Sequence, residues 1–176
     1  MVFSRTQKIV ITAMFTALST VATMVIQVPS PMNGYVNLGD AFVLLGAFIL
    51  GPLLGGVAGG LGPMLADLLT GYAIYAPGTL VIKFAMAFTA GILFNLINKT
   101  VRCKAVTVIA TVLSGIVAEL IMVVGYFLYA CLIMSEGWAA AASIPGNLMQ
   151  GLFGVVVSTI VYSLLKKTKL FTDDQK

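Results

Sequence analysis

Four charged side chains, Asp40, Asp67, Lys83 and Glu119, stand inside long apolar stretches of this sequence. A charge in hydrocarbon is expensive, so such residues face a cavity, a partner or a bound solute. Three carboxylates and one ammonium, with the amides of Asn37, Asn147 and Gln150, can hold a small polar molecule through paired hydrogen bonds. Acid–base catalysis by Glu119, Asp67 and Lys83 is the competing chemistry. Against it, the sequence has no histidine, no metal-ligand spacing, no obvious nucleophile and no Walker, redox or cofactor motif. The expectation is a chain that binds or moves a solute without a cofactor, not an intramembrane enzyme. Any energy for concentrating that solute must come from an ion gradient or a partner.

Each residue also has a plainer reading. Asp67 and Lys83 could form a structural ion pair. Asp40 could cap a helix N-terminus, where a carboxylate suits the helix dipole. Tyr35, Tyr72, Tyr75, Tyr126 and Tyr129 gather near one membrane face. An interfacial aromatic belt forms at both faces. The other face is poor in tyrosine and has no tryptophan, so some of these rings are expected to stack on a ligand. Trp138 falls in the loop before the last span.

The elements that must position these groups follow from hydropathy. Of 176 residues 60% are hydrophobic and 9% charged, against roughly 25% charged in soluble domains. A bilayer can solvate that much apolar surface, and about 20 helical residues cross it. Six spans are predicted at residues 9–28, 38–50, 53–70, 80–97, 106–133 and 147–165, forming one all-α, polytopic membrane domain over residues 1–176. Pro29 and Pro31 stop the first span, and residues 30–37 read as a polar turn. Gly51-Pro52 breaks the apolar run from 38 to 69, because proline disfavours helical geometry at the residue before it. Residues 9–28 are too long for a signal-peptide core, so they read as a retained span.

Six spans put both termini on one side, together with Arg5, Lys8, Lys99, Arg102, Lys104, Lys166, Lys167, Lys169 and Lys176. Cytoplasmic loops carry the excess of lysine and arginine, so both termini are expected in the cytoplasm. The polar groups then converge on the outer half of the bundle. That describes a pocket open to the outside, and it argues against a stand-alone ion-coupled carrier. Cys103 and Cys131 fall near opposite faces, which disfavours a disulfide. Gly51, Gly55 and Gly59, and Gly56 with Gly60, recur every four residues, a spacing that lets helices approach closely. Ala13 and Ala17 make a similar step that could pack internally or dock a partner.

The segments Gly34-Tyr35-Val36-Asn37-Leu38-Gly39-Asp40-Ala41, Leu50-Gly51-Pro52-Leu53, Ala66-Asp67-Leu68-Leu69, Tyr75-Ala76-Pro77 leading to Ile82-Lys83, and Ile144-Pro145-Gly146-Asn147-Leu148-Met149-Gln150 occur in that order. Together they resemble the substrate-binding S components of energy-coupling factor (ECF) vitamin transporters. The resemblance covers nearly the whole chain. It implies a six-helix subunit of the bacterial cytoplasmic membrane that binds a vitamin from outside, beneath the loops after spans one and three. It also implies a transmembrane coupling subunit and two cytoplasmic ATPases as partners, with Ala13 and Ala17 on the docking face. The Asn37-Leu38-Gly39-Asp40 form looks most like the branch for pyridoxine-type vitamins and the hydroxymethylpyrimidine precursor of thiamine; riboflavin or thiamine is the alternative. A small heteroaromatic ring would then draw its contacts from Tyr35, Asn37, Asp40, Asp67, Tyr72, Tyr75, Lys83, Glu119, Tyr126, Asn147 and Gln150.

Overall fold

Helix α1 (Arg5–Val25) opens on a capping box, with the Ser4 hydroxyl accepting from Gln7 N and the Gln7 side chain accepting from Ser4 N. In the computed structural model, which describes residues 4–30, 34–100 and 104–168, five further helices follow. They are α2 (Asp40–Leu50), α3 (Pro52–Thr70), α4 (Ala76–Thr100), α5 (Lys104–Leu128) and α6 (Ile144–Leu165). A π-helical turn (Tyr129–Ile133) extends α5, and a 3-10 helix (Gly137–Ser143) leads into α6. Cys103, Arg102, Lys169 and Lys176, on which expectations above rest, lie outside the described residues.

Two corrections concern the first third of the chain. The helix expected to run to residue 28 ends at Val25, because Ile26 is extended and β1 (Gln27–Ser30) pairs antiparallel with β2 (Gly34–Asn37). The polar turn is thus a β-hairpin, with Gln27 opposite Asn37 and Ser30 opposite Gly34. Among the described residues six α-helices are present as expected, but five of them are long and apolar enough to cross a membrane; α2, with 11 residues, is not. It rises about 16 Å, roughly half a hydrocarbon core.

That short helix is the centre of the bundle. It packs on α1, α3, α4 and α6, and eight of its residues are buried. A helix that is apolar all round belongs inside a core, and Val43, Leu44, Ala47 and Phe48 fill this one. Gly51, at φ +81, reverses the chain into α3. The long helices instead show one apolar face outward, as Ile9, Val10, Met14, Leu18, Val21 and Val25 do on α1. Several of their inward hydroxyls are satisfied by carbonyls of the preceding turn: Ser19 bonds to Thr16 O, Ser114 to Ala110 O and Ser158 to Val155 O. Lipid outside and hydroxyls inside is the arrangement a bilayer selects.

The connections alternate between two ends of the bundle. One end joins the hairpin, the 71–75 loop and the 3-10 helix. At the other, Lys166 reaches Thr107 and Thr107 reaches Asn98, which ties α6, α5 and α4 together.

Candidate functional site

The hairpin end holds a polar pocket of about 610 Å³, its open mouth included. Its walls come from every long helix and from the hairpin: Thr23 of α1, Tyr35 and Asn37 of β2, Asp67 of α3, Lys83 of α4, Tyr126 of α5, and Asn147 with Gln150 of α6. Tyr75 and Ser143 also line it.

The floor is built on Asp40. This residue opens α2, but its side chain makes no cap hydrogen bond; Gly39 is the N-cap. Lys83 Nζ instead forms an ion pair with Asp40 Oδ1, and Gln150 Nε2 donates to Oδ2 at 2.7 Å. Both ends of the Gln150 amide are used, because its Oε1 accepts from Asn37 N at 2.8 Å. Asn37 Oδ1 in turn accepts from Gly39 N. A chain of bonds therefore runs from the hairpin exit through α6 to α2 and α4. Asp40 and Lys83 are each 1% exposed. The expected Asp67–Lys83 pair is not formed as an ion pair; the partner of Lys83 is Asp40, and the cap role of Asp40 is displaced by it. The Lys83 ammonium also lies 5.6 Å from the centroid of the Tyr126 ring, where a cation is attracted by the ring face.

One wall is aromatic. Tyr35 donates to Asp67 Oδ1 at 2.5 Å and its ring meets Tyr72 at 4.5 Å. Burial, then the Asp67 carboxylate, pushes the Tyr35 phenol far above its ordinary range. Burial pushes Tyr75 up to about 12, with the Glu136 charge adding to it. Both phenols thus stay neutral donors at any physiological pH. Tyr126 donates to Thr79 Oγ1 at 3.0 Å, and Tyr129 donates to Ile74 O at 2.7 Å, which fastens the end of α5 to the 71–75 loop. Gly78 leaves room for that Tyr129 ring, since a Cβ there would stand 2.6 Å from it. Three buried pocket atoms, Thr23 Oγ1, Ser30 Oγ and Asp67 Oδ2, have no hydrogen-bond partner among the described residues. They are available to a polar ligand.

Of the eleven residues proposed from the sequence, Tyr35, Asn37, Asp67, Tyr75, Lys83, Tyr126, Asn147 and Gln150 line this single pocket. Three do not. Asp40 lies beneath, supporting Lys83 and Gln150. Tyr72 backs Tyr35 from outside the lining. Glu119 lies in the seam between α5 and α6. Sequence reasoning missed Thr23, Ser30, Thr79 and Ser143. The run Thr16, Ser19, Thr20 and Thr23, spaced by three and four, could have marked the inward face of α1. Trp138 is 85% exposed and packs near Phe127, away from the pocket. Ala13 and Ala17 are exposed and line a shallow groove with Leu54, Val57 and Leu61 of α3.

A family model described as ECF-type riboflavin transporter, S component, matches residues 3–167. An uncharacterized protein in a gap 3′ region of Pyrococcus woesei is 37% identical over 149 residues, 84% of this chain and 94% of its own length. The thiamine precursor transporter HmpT of Lactococcus lactis subsp. cremoris (strain MG1363) is 25% identical over 173 residues, covering 97% of this chain and 94% of its own. Among solved structures, one described as the structure and mechanism of the S component of a bacterial ECF transporter superposes with a TM-score of 0.67 at 20% identity. It covers 92% of this chain and 96% of that one. This last likeness bears on the fold alone.

Proposed function

We propose that this chain, which belongs to the ECF-type riboflavin transporter S component family, takes up a heteroaromatic vitamin or vitamin precursor through the pocket at its hairpin end. The family makes it a multi-pass subunit of a vitamin importer in the cytoplasmic membrane, and not an enzyme. The observation that carries the ligand reading is the convergence of donors, acceptors and tyrosine faces on one pocket at one end of an otherwise apolar bundle. Riboflavin takes precedence over the pyridoxine-type expectation, because it is the vitamin named by the family's description. Hydroxymethylpyrimidine is the second reading. It is favoured by the likeness to HmpT across 97% of the chain. Calorimetric titration with riboflavin, hydroxymethylpyrimidine and pyridoxine tests the choice: one of the first two binds tightly and the others weakly. Preference for pyridoxine would reverse the order, and no binding of any heteroaromatic vitamin would remove the ligand reading.

Within this reading Asp67 Oδ2 accepts a hydrogen from the ligand, and Tyr35 holds the carboxylate in place. Tyr35→Phe removes one bond to a charged group, worth about 1.5–3 kcal/mol. Ligand affinity in the same titration should fall by about tenfold or more; an unchanged affinity would take Asp67 out of the site.

The pocket faces outward and both termini face the cytoplasm on this reading, since Arg5, Lys8 and Lys99 lie on helix ends, and Lys166 and Lys167 just past one, at the opposite end. On this reading the partners are the ECF module, a transmembrane coupling subunit and two cytoplasmic ATPases. The exposed groove at Ala13 and Ala17 is the proposed docking face. Ala17→Leu should leave ligand affinity unchanged and reduce co-purification with the coupling subunit severalfold; full complex formation would exclude this face.

A further inference from the structure

Glu119 is the charged group that the pocket leaves unexplained. It is 5% exposed, and neither carboxylate oxygen receives a hydrogen bond from a donor among the described residues. It shares a helical face with Tyr126, seven residues on, but stands about 10 Å deeper. The side chain fills a notch in α6. A Cβ at Gly154 would lie 2.6 Å from Glu119 Oε1, and one at Gly151 would lie 3.1 Å from Oε2. Glycine therefore offers no side-chain donor from α6. The same Gly154 position is 3.0 Å from Asp40 Cβ, so the two acids meet at this notch. On the lipid side Glu119 lies at the base of an aliphatic groove that it lines with Ile116, Leu120 and Leu152.

The charged groups that face Glu119 are Asp40 from α2 and Lys83 from α4. From α6 comes only the neutral amide of Gln150, which is already bonded to Asp40, and Tyr126 stands higher on its own helix. The ammonium of Lys83 is engaged by Asp40. Two ionised carboxylates against one ammonium would leave a bare negative charge in a dry seam, which burial strongly disfavours. Carboxyl groups sharing such a site do not both ionise.

We propose that Asp40 and Glu119 hold one proton between them, with Glu119 as the neutral acid donating to Asp40, so that Asp40, Lys83 and Glu119 form an electroneutral triad under the pocket floor. Glu119 is then a positioning residue. It fixes Asp40, and through Asp40 the ammonium of Lys83 and the amide of Gln150 that line the pocket. The glycines at 151 and 154 are the space this acid needs.

Infrared spectroscopy of the purified full chain at neutral pH tests the proton directly. A protonated-carboxyl band is expected in the wild type and is lost in Glu119→Gln, whose amide can still donate to Asp40. Linkage supplies a second readout. An acid kept protonated in the folded state and ionised in the unfolded state makes stability fall as pH rises. One such proton changes the unfolding constant by about tenfold per pH unit above the ordinary glutamate range. Glu119→Gln should remove that one-proton slope. Absence of the band in the wild type, or a band and slope unchanged in Glu119→Gln, would overturn the proposal. So would a stability that depends on sodium in the wild type but not in the variant, which would put a metal ion where the proton is placed. Should the variant not fold, the wild-type band alone decides. Neither readout uses the transported ligand, so failure here leaves the vitamin-binding reading intact.

Discussion

Lys83→Met should abolish ligand binding and cost about 3–5 kcal/mol of stability, because it strands the Asp40 carboxylate in the core. Asp40 and Lys83 are each 1% exposed, and without Lys83 only neutral donors, the Gln150 amide among them, face Asp40. The measurement is thermal unfolding in detergent alongside ligand titration. Adding Asp40→Asn to Lys83→Met removes the stranded charge, so most of the stability should return while binding does not. Adding Asp67→Asn instead should give no rescue, since Asp67 bonds to Tyr35. Rescue by Asp67→Asn and not by Asp40→Asn would mean that the ion pair is drawn between the wrong residues. Coupling of this kind is what separates partners from neighbours.

Gly55→Leu is expected to destroy the folded protein. A Cβ at Gly55 would lie 2.5 Å from Ala47 Cα and 2.9 Å from Ala47 N, so the clash is with backbone that cannot rotate away. This is where α2 turns back along α3, and no other residue type permits that approach. The expected loss exceeds the roughly 4–5 kcal/mol that marks exceptional substitutions. Size-exclusion chromatography after extraction should show almost no monodisperse protein. Gly71→Ala is the contrast. Gly71 sits at φ +90 with nothing near its missing Cβ, so its cost is backbone strain alone, about 1–2 kcal/mol. Equal yields from the two variants would refute the close packing of α2 on α3.

The difference between these two glycines shows what hydropathy can and cannot reveal. The repeat of Gly51, Gly55 and Gly59 announces a close helix contact, but not which helix arrives. The spans at 53–70, 80–97, 106–133 and 147–165 were legible because each is an apolar run long enough to cross a bilayer. The first span was overextended, since residues 26–28 hold no helix breaker and only the pairing of 27–28 with 36–37 makes those two strand. The second was taken for a span because its apolar character is real; its burial inside the bundle, and not in lipid, depends on neighbours that the sequence does not order.

The site was legible as a set and illegible as pairs. Tyr35, Asn37, Asp67, Tyr75, Lys83, Tyr126, Asn147 and Gln150 converge because each lies near the same end of its element. Depth and facing decide the rest. Asp67 and Lys83 both lie within about two turns of that end, so an ion pair between them was reasonable on spacing. Asp40 wins because α2 is short and enters the bundle below the hairpin, which brings its first residue level with Lys83 and Gln150. Glu119 was expected among the ligand contacts as an acid inside a span, and it is buried but outside the pocket lining. Its level along α5, beneath the floor, required the fold. The order of motifs carried the family, and the family model matches residues 3–167; the specific vitamin turns on side-chain detail that those motifs share among branches.

The measurement that bears most directly on the account is mass spectrometry of small molecules released on denaturing the gently purified protein, after loading with a mixture of riboflavin, hydroxymethylpyrimidine and pyridoxine. The account predicts one heteroaromatic vitamin in near-equimolar amount, riboflavin or hydroxymethylpyrimidine, and its loss from Lys83→Met. Stoichiometric recovery of a non-aromatic solute, or equal recovery of vitamin from Lys83→Met, would contradict it.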